Sequence, residues 1–150
     1  MKIKRVRKIK GGIFKDTRGS IKFVNDFSFK GVKRFYQVEN TDQKTIRAFH
    51  GHKNEAKYVL VISGSILLCV IYLDNLKKPS KENKVQKFIL SGRKPEIVYI
   101  PGGYANGFKA LEVNTKVIFF STSSLKESLE DDYRFPPNYW GKEVWERNDK

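Results

Sequence analysis

The chain contains only two histidines, and they lie two residues apart in Arg47-Ala48-Phe49-His50-Gly51-His52-Lys53. Imidazole titrates near neutral pH, so it can take or give a proton under working conditions. In an extended segment, alternation places Ile46, Ala48, His50 and His52 on one face and Arg47, Phe49, Gly51 and Lys53 on the other. Two imidazoles pointing the same way form either an acid–base pair or the beginning of a zinc, manganese or iron site. One histidine by itself would read as a hydrogen-bonded core residue; a pair beside Arg47 points to function. Cys69, the one cysteine, sits in the run Ile66-Leu67-Leu68-Cys69-Val70-Ile71. Its apolar neighbours mark it as a small core residue whose thiol stays protonated.

The elements that must hold these residues read as strands. Ile21 to Val24, Val32 to Val38 and Thr45 to Phe49 are short, rich in β-formers and bounded by turn residues. Lys57 to Leu73 is a longer stretch, broken at Ser63-Gly64-Ser65 by a tight turn or bulge. A polar loop from Leu76 to Asn83 precedes Val85 to Leu90. Then come Ile97 to Ile100, the turn Pro101-Gly102-Gly103, a return strand from Gly107 to Leu111, and Thr115 to Ser121. Only Ser123 to Asp131 reads as a helix. Many short strands with regular turns predict an all-β sandwich or barrel, and nothing resembles alternating strand and helix units. The tail from Tyr133 onward carries Phe135-Pro136-Pro137-Asn138-Tyr139-Trp140 and Trp145. Its aromatic rings need cover, over the barrel or against a second subunit.

The 150 residues suit one domain, 1–150, and the 39% hydrophobic and 13% aromatic content is enough for a packed core. With one cysteine there is no intrachain disulfide, which fits a reducing, cytoplasmic compartment. The N-terminus is basic but has no apolar stretch behind it, so neither a signal peptide nor a membrane span is expected. The net charge of +14 favours anionic partners. These are nucleic acid, an anionic membrane or a phosphate-bearing small molecule, unless the basic residues are simply solvated faces; no helix-turn-helix, zinc-finger or aromatic RNA-binding signature supports the first, so nucleic acid is not the expected partner.

The spacing of several motifs resembles the cupin class. Cupins carry two histidines, a glutamate and a glycine, then Pro-x-Gly-x-x-His; this chain has His50, His52, Glu55 and Gly64, then Pro101-Gly102-Gly103-Tyr104-Ala105-Asn106. Asn106 stands where the third histidine would be, and Glu55 comes early. The resemblance therefore implies a cupin-like jelly-roll β-barrel, with a short C-terminal helix and tail, that works without a metal or other cofactor.

A closer resemblance is to the cupin enzymes that act on nucleotide-linked 4-keto-6-deoxy sugars, the dTDP-4-dehydrorhamnose 3,5-epimerases and the sugar 3,4-ketoisomerases. Asp16-Thr17-Arg18-Gly19-Ser20 resembles the Asp-x-Arg-Gly turn of both, and Val32-Lys33-Arg34-Phe35-Tyr36 the ketoisomerase strand with an active-site tyrosine. Arg47 to Lys53 resembles the ketoisomerase pattern Arg-Gly-x-His-Ala-His-Lys. Lys57 to Gly64 and Tyr99 to Phe108 resemble epimerase stretches. The resemblance implies an isomerase that removes a proton next to the ketone, with His50 as base, His52 as second acid–base group, Lys57 at the enolate oxygen and Tyr36 as a further partner. It implies Arg18 and Arg47 at the diphosphate, with Tyr104 and Asn106 also facing substrate. A dTDP-linked sugar, a homodimer built by exchange of N-terminal strands, and a place in deoxysugar supply for cell-surface polysaccharide follow from the same likeness. One departure stands out. Epimerases carry a proton-donating tyrosine on the late strand, where this chain has Val117-Ile118-Phe119-Phe120. A non-catalytic nucleotide-sugar or carbohydrate-binding protein is the second reading.

Overall fold

The structure is a computed structural model that describes residues 4–147; the first three residues of the basic N-terminus and the last three of the tail lie outside the described residues. Two five-stranded antiparallel sheets face each other. The first has the order β1 (Arg7–Lys10), β9 (Glu96–Ile100), β6 (Lys57–Ser63), β11 (Lys116–Ser121) and β4 (Arg34–Glu39). The second has the order β12 (Tyr133–Arg134), β5 (Ile46–His52), β10 (Tyr104–Ala110), β7 (Ser65–Tyr72) and β8 (Val85–Ser91). A separate hairpin pairs β2 (Gly12–Asp16) with β3 (Gly19–Phe23). One helix, α1 (Leu125–Leu129), precedes β12. Among the described residues no helix is long and apolar enough to cross a membrane.

Alternating side chains of both sheets fill the space between them. Val59 and Val61 of β6, Val98 and Ile100 of β9, and Val117 and Phe119 of β11 meet Ile66, Leu68 and Val70 of β7 and Phe108 of β10. The other face of β7, Leu67, Cys69 and Ile71, belongs to a second core. This explains why β7 reads as an unbroken apolar run: it is buried on both faces. The tail supplies the second cover. Trp140 and Trp145 pack edge-on and tilted against Phe49, at centroid distances of 4.9 and 5.3 Å. Their indole N–H groups donate to the carbonyls of Ser80 and Pro137. The tail's aromatic rings thus close over the outside of the second sheet of their own chain. Burial among these side chains pushes the Cys69 thiol up to about 12, which keeps it protonated.

The β6–β7 turn is Gly64, with φ of +75°. A Cβ there would lie 2.2 to 2.9 Å from Thr115, so glycine is required both by conformation and by space. The N-terminal strands, expected without bounds, are β1, which pairs with β9 and buries Ile9, and β2, which pairs with β3 in the separate hairpin. Two expectations change. The return strand starts at Tyr104 rather than Gly107, because Gly103 N–H bonds to the His52 carbonyl and closes the turn at once. The helix spans five residues instead of running from Ser123 to Asp131: Ser124 and Glu127 form a capping box, and Asp131 lies beyond its end.

Truncating Trp140 to alanine should lower unfolding free energy by about 3 kcal/mol or more, because it removes a buried ring and opens the second core. Leu129→Ala, at a side chain that is 71% exposed, should change it by less than about 0.5 kcal/mol. Urea denaturation followed by tryptophan fluorescence and circular dichroism checks both values.

Candidate active site

The site is set by an irregularity in β5. Asn106 of β10 stands opposite His50, and Phe108 opposite Arg47, so two steps along β10 match three along β5. The extra residue resets the alternation. Ile46, Ala48 and Phe49 all join the outer core under the tail. Arg47, His50 and His52 all point between the sheets. This corrects the expected grouping: Arg47 shares the face of the histidines, while Ile46 and Ala48 leave it. Gly107 makes the irregularity possible, since a Cβ there would lie 2.4 Å from that of Ala48.

The inward side chains line a two-lobed cavity whose lobes measure about 200 and 190 Å³. Tyr36, His50 and Lys57 border both lobes. Arg47, Asn106 and Phe119 line the first; Arg34, His52, Asp132 and Arg134 line the second. Six of the expected residues therefore come together: Tyr36, Arg47, His50, His52, Lys57 and Asn106. Two do not. Arg18 sits at the tip of the β2–β3 hairpin with its side chain 85% exposed and bonded to Asp16. Tyr104 lies in the inner core, its hydroxyl donating to the Lys4 carbonyl at 2.9 Å and its ring set against Tyr72. The backbone register carries its side chain to a neighbour strand instead of the cavity.

Both imidazoles are poised to be neutral at pH 7. Burial pushes the His50 pKa below its usual 6.5, and the nearby charges of Lys57 and Arg134 push the same way, against Asp132. For His52 burial is again the largest cause, then Lys57, opposed by the Asp131 carbonyl and Glu55. His52 Nδ1 lies 2.5 Å from the Asp131 backbone oxygen, which can only accept, so Nδ1 carries a proton. Its Nε2 is buried and has no hydrogen-bond partner among the described residues. Lys57 is itself nearly buried, with Nζ 5.8 and 5.7 Å from the ring centroids of Tyr36 and Phe119. Those rings stack at 5.2 Å and 11°. Arg34 lies over the Tyr36 ring at 5.1 Å. The Arg47 guanidinium donates to Asn40 Oδ1 and the Glu39 carbonyl at the outer end of the first lobe.

Several residues of the site were not among the expected site residues. Arg34, Asp132 and Arg134 carry charge to the second lobe, and Glu55 and Asp131 contact His52. Glu55, three residues after His52, was legible only as a displaced metal ligand. Among the described residues no group of three His, Cys, Asp or Glu side chains is arranged to hold a metal ion. His52 turns Nδ1 to a carbonyl, and the amide of Asn106 is a poor ligand for the metals that suit histidines. The arrangement can hold an anionic, oxygen-rich ligand among four cations and move protons with two neutral imidazoles.

Solved structures with the same architecture share this layout of sheets. The dTDP-4-dehydrorhamnose 3,5-epimerase of Bacillus anthracis, solved with TDP and pyrophosphate, superimposes with a TM-score of 0.74 at 21% identity, over 89% of this chain and 79% of that one. The TDP-quinovose 3,4-ketoisomerase of Campylobacter jejuni gives 0.66 at 21% identity, over 92% of this chain and 98% of that one. A 3'-monoepimerase of Streptomyces bikiniensis in complex with dTDP-quinovose gives 0.74 at 14%, over 91% of this chain and 72% of that one. No curated protein sequence matches the chain significantly. The family model described as dTDP-4-dehydrorhamnose 3,5-epimerase matches residues 1–136. With that match and a cupin-like jelly roll around two inward imidazoles, the chain belongs to the dTDP-4-dehydrorhamnose 3,5-epimerase family and is a sugar-nucleotide isomerase.

Proposed function

We propose that the protein moves the ketone of a nucleotide-linked 4-keto-6-deoxy sugar from carbon 4 to carbon 3, as a 3,4-ketoisomerase, and that its nucleotide is thymidine diphosphate. The observation that carries this reading is the pairing of His50 and His52 on one cavity wall with Phe119, a ring that cannot donate a proton, on the facing sheet. The epimerases that this chain resembles reprotonate the sugar from a late-strand tyrosine, and here the hydroxyl nearest that position is Tyr36 on the neighbouring strand β4, stacked on Phe119. A ketone shift needs protons exchanged between two carbons and two oxygens on one side, which two imidazoles can serve.

The steps follow from the residues present. The ketone at carbon 4 acidifies the hydrogen on carbon 3. His50 takes that proton, and the electrons of the broken bond form an enolate on the oxygen of carbon 4. The Lys57 ammonium stabilises this oxyanion inside a poorly solvated cavity, where a fixed charge is most effective. The oxygen on carbon 4 gains a proton and the hydroxyl on carbon 3 loses one, with His52 Nε2 and the Tyr36 hydroxyl as carriers. Return of a proton to carbon 4 leaves a ketone at carbon 3. Arg47 and Asn106 hold polar groups of the ligand at the first lobe, and guanidinium suits a diphosphate.

The working form is a homodimer. The outer face of the first sheet carries Phe27, Phe29, Phe35 and Phe120 in edge and tilted contact, with Phe29 65% and Phe35 67% exposed. An apolar patch of this kind marks an interaction surface. A diphosphate role for Arg18 then depends on the neighbouring copy, since in its own chain Arg18 borders neither lobe of the cavity. The single buried thiol fits a reducing cytoplasm. Supply of deoxysugars for cell-surface polysaccharide fits the substrate class.

Four outcomes are expected. Turnover of dTDP-4-keto-6-deoxyglucose in deuterated water should give a product with its ketone at carbon 3 and no deuterium at carbon 5, as read by proton NMR. Deuterium at carbon 5 would mean epimerisation. His50→Asn should lower kcat by about 10²- to 10⁴-fold. In the wild type, kcat/KM should rise with pH through a value below 6.5 and then level off, because the base must be neutral and its pKa is depressed. A midpoint above 6.5 would contradict the role given to His50. In sedimentation equilibrium the wild type should behave as a dimer, and Phe35→Asp should behave as a monomer.

A further inference from the structure

Against the Nδ1 edge of His52 lies a polar cluster drawn from three parts of the chain. Glu55, in the loop between β5 and β6, is 2% exposed. Its Oε2 accepts from Ser121 Oγ of β11 at 2.6 Å and lies 3.6 Å from Arg34 Nη2 of β4. Its Oε1 lies 3.5 Å from His52 Nδ1 and has no hydrogen-bond partner among the described residues. Asp131 pins the same loop. Its carboxylate accepts from the backbone N–H groups of Lys53, Asn54 and Glu55 at 2.7, 2.9 and 3.0 Å, while its carbonyl accepts from His52 Nδ1. One residue therefore fixes both the ring and the segment that carries the glutamate.

A buried carboxylate oxygen without a donor is costly. Protonation of His52 at Nε2 adds no donor on the Glu55 side, where the Nδ1 proton already goes to the Asp131 carbonyl, but it places a positive charge on the ring, whose Nδ1 lies 3.5 Å from this oxygen. We propose that Glu55 is a positioning residue that makes His52 able to accept a proton at Nε2: its carboxylate balances the charge that appears on the ring, and the Asp131 carbonyl determines which nitrogen stays free. This rests on the reading of His52 as the second acid–base group. The charges acting on the ring are those of Lys57 on β6, Asp131 after α1 and, on its own strand, His50 when protonated, with Arg34, Asp132 and Arg134 bordering the same lobe. Lys57 opposes protonation, and Glu55 offsets it. His52 touches the cavity; Glu55 acts through it.

With only two histidines, ¹⁵N-histidine NMR resolves each ring, and His50→Asn assigns the signals. The wild type should show neutral His52 protonated at Nδ1. Glu55→Gln should keep that tautomer and lower the proton affinity of His52 by about tenfold or more, as expected for loss of an opposite charge at this range. Glu55→Asp should recover most of the affinity. Turnover by Glu55→Gln should lose kcat at least about tenfold with KM little changed, and adding His52→Asn should bring little further loss. An unchanged His52 titration in Glu55→Gln would overturn the proposal. So would a wild-type His52 protonated at Nε2 in its neutral form, a result that does not depend on whether any variant folds. The NMR result stands without turnover, so an absent ketone shift with the expected titration would discard the reaction and keep the role of Glu55.

Discussion

The extra residue in β5 between Arg47 and His50 is the constraint on which the rest of the site depends. A regular strand would send Arg47 and Phe49 to one side and the two histidines to the other. The two-against-three match with β10 lets Phe49 turn outward under Trp140 while Arg47, His50 and His52 all turn inward. Both cores are thereby tied to the chemistry. The tail holds Phe49 down, β12 lines the free edge of β5 through Arg134 and Tyr133, and Gly107 leaves room for the strands to close. A fault in this strand would scatter the cavity wall and unseat the aromatic cover together.

Electrostatics decides what the cavity can do. Four cations, Arg34, Arg47, Lys57 and Arg134, stand round its two lobes, with Asp132 the one carboxylate among the lining residues. Such a field attracts a diphosphate, and Lys57 adds to the burial that is the main reason the imidazoles stay unprotonated. Those two consequences suit a single reaction: the ligand is anionic and the first step needs a free base. The net charge of +14, diffuse when read along the sequence, thus has a local counterpart at the place where a sugar nucleotide would sit.

Much of this was legible in the sequence. Short β-rich runs with glycine turns gave the all-β architecture, and a histidine pair at strand spacing marked a strand that borders the candidate cavity. What failed did so for reasons of tertiary structure. The inward turn of Arg47 depends on its register with β10, which no local pattern encodes. The Tyr104 hydroxyl is taken by a carbonyl 100 residues away, and His52 is fixed by Asp131, 79 residues on. Arg18 matched a motif, but it sits at the tip of a hairpin that is not part of either main sheet and borders neither lobe of the cavity. The bounds of strand β1 were hidden because only Ile9 faces inward and its basic neighbours mask the alternation.

The central claim is that two uncharged imidazoles face the same sugar-nucleotide cavity. It is tested most directly by titrating the ¹⁵N-histidine protein with dTDP-6-deoxyglucose, which lacks the ketone and cannot react. The account predicts that both ring signals, neutral at pH 7, shift with one common saturation curve. Saturable binding that leaves both rings unmoved would contradict it.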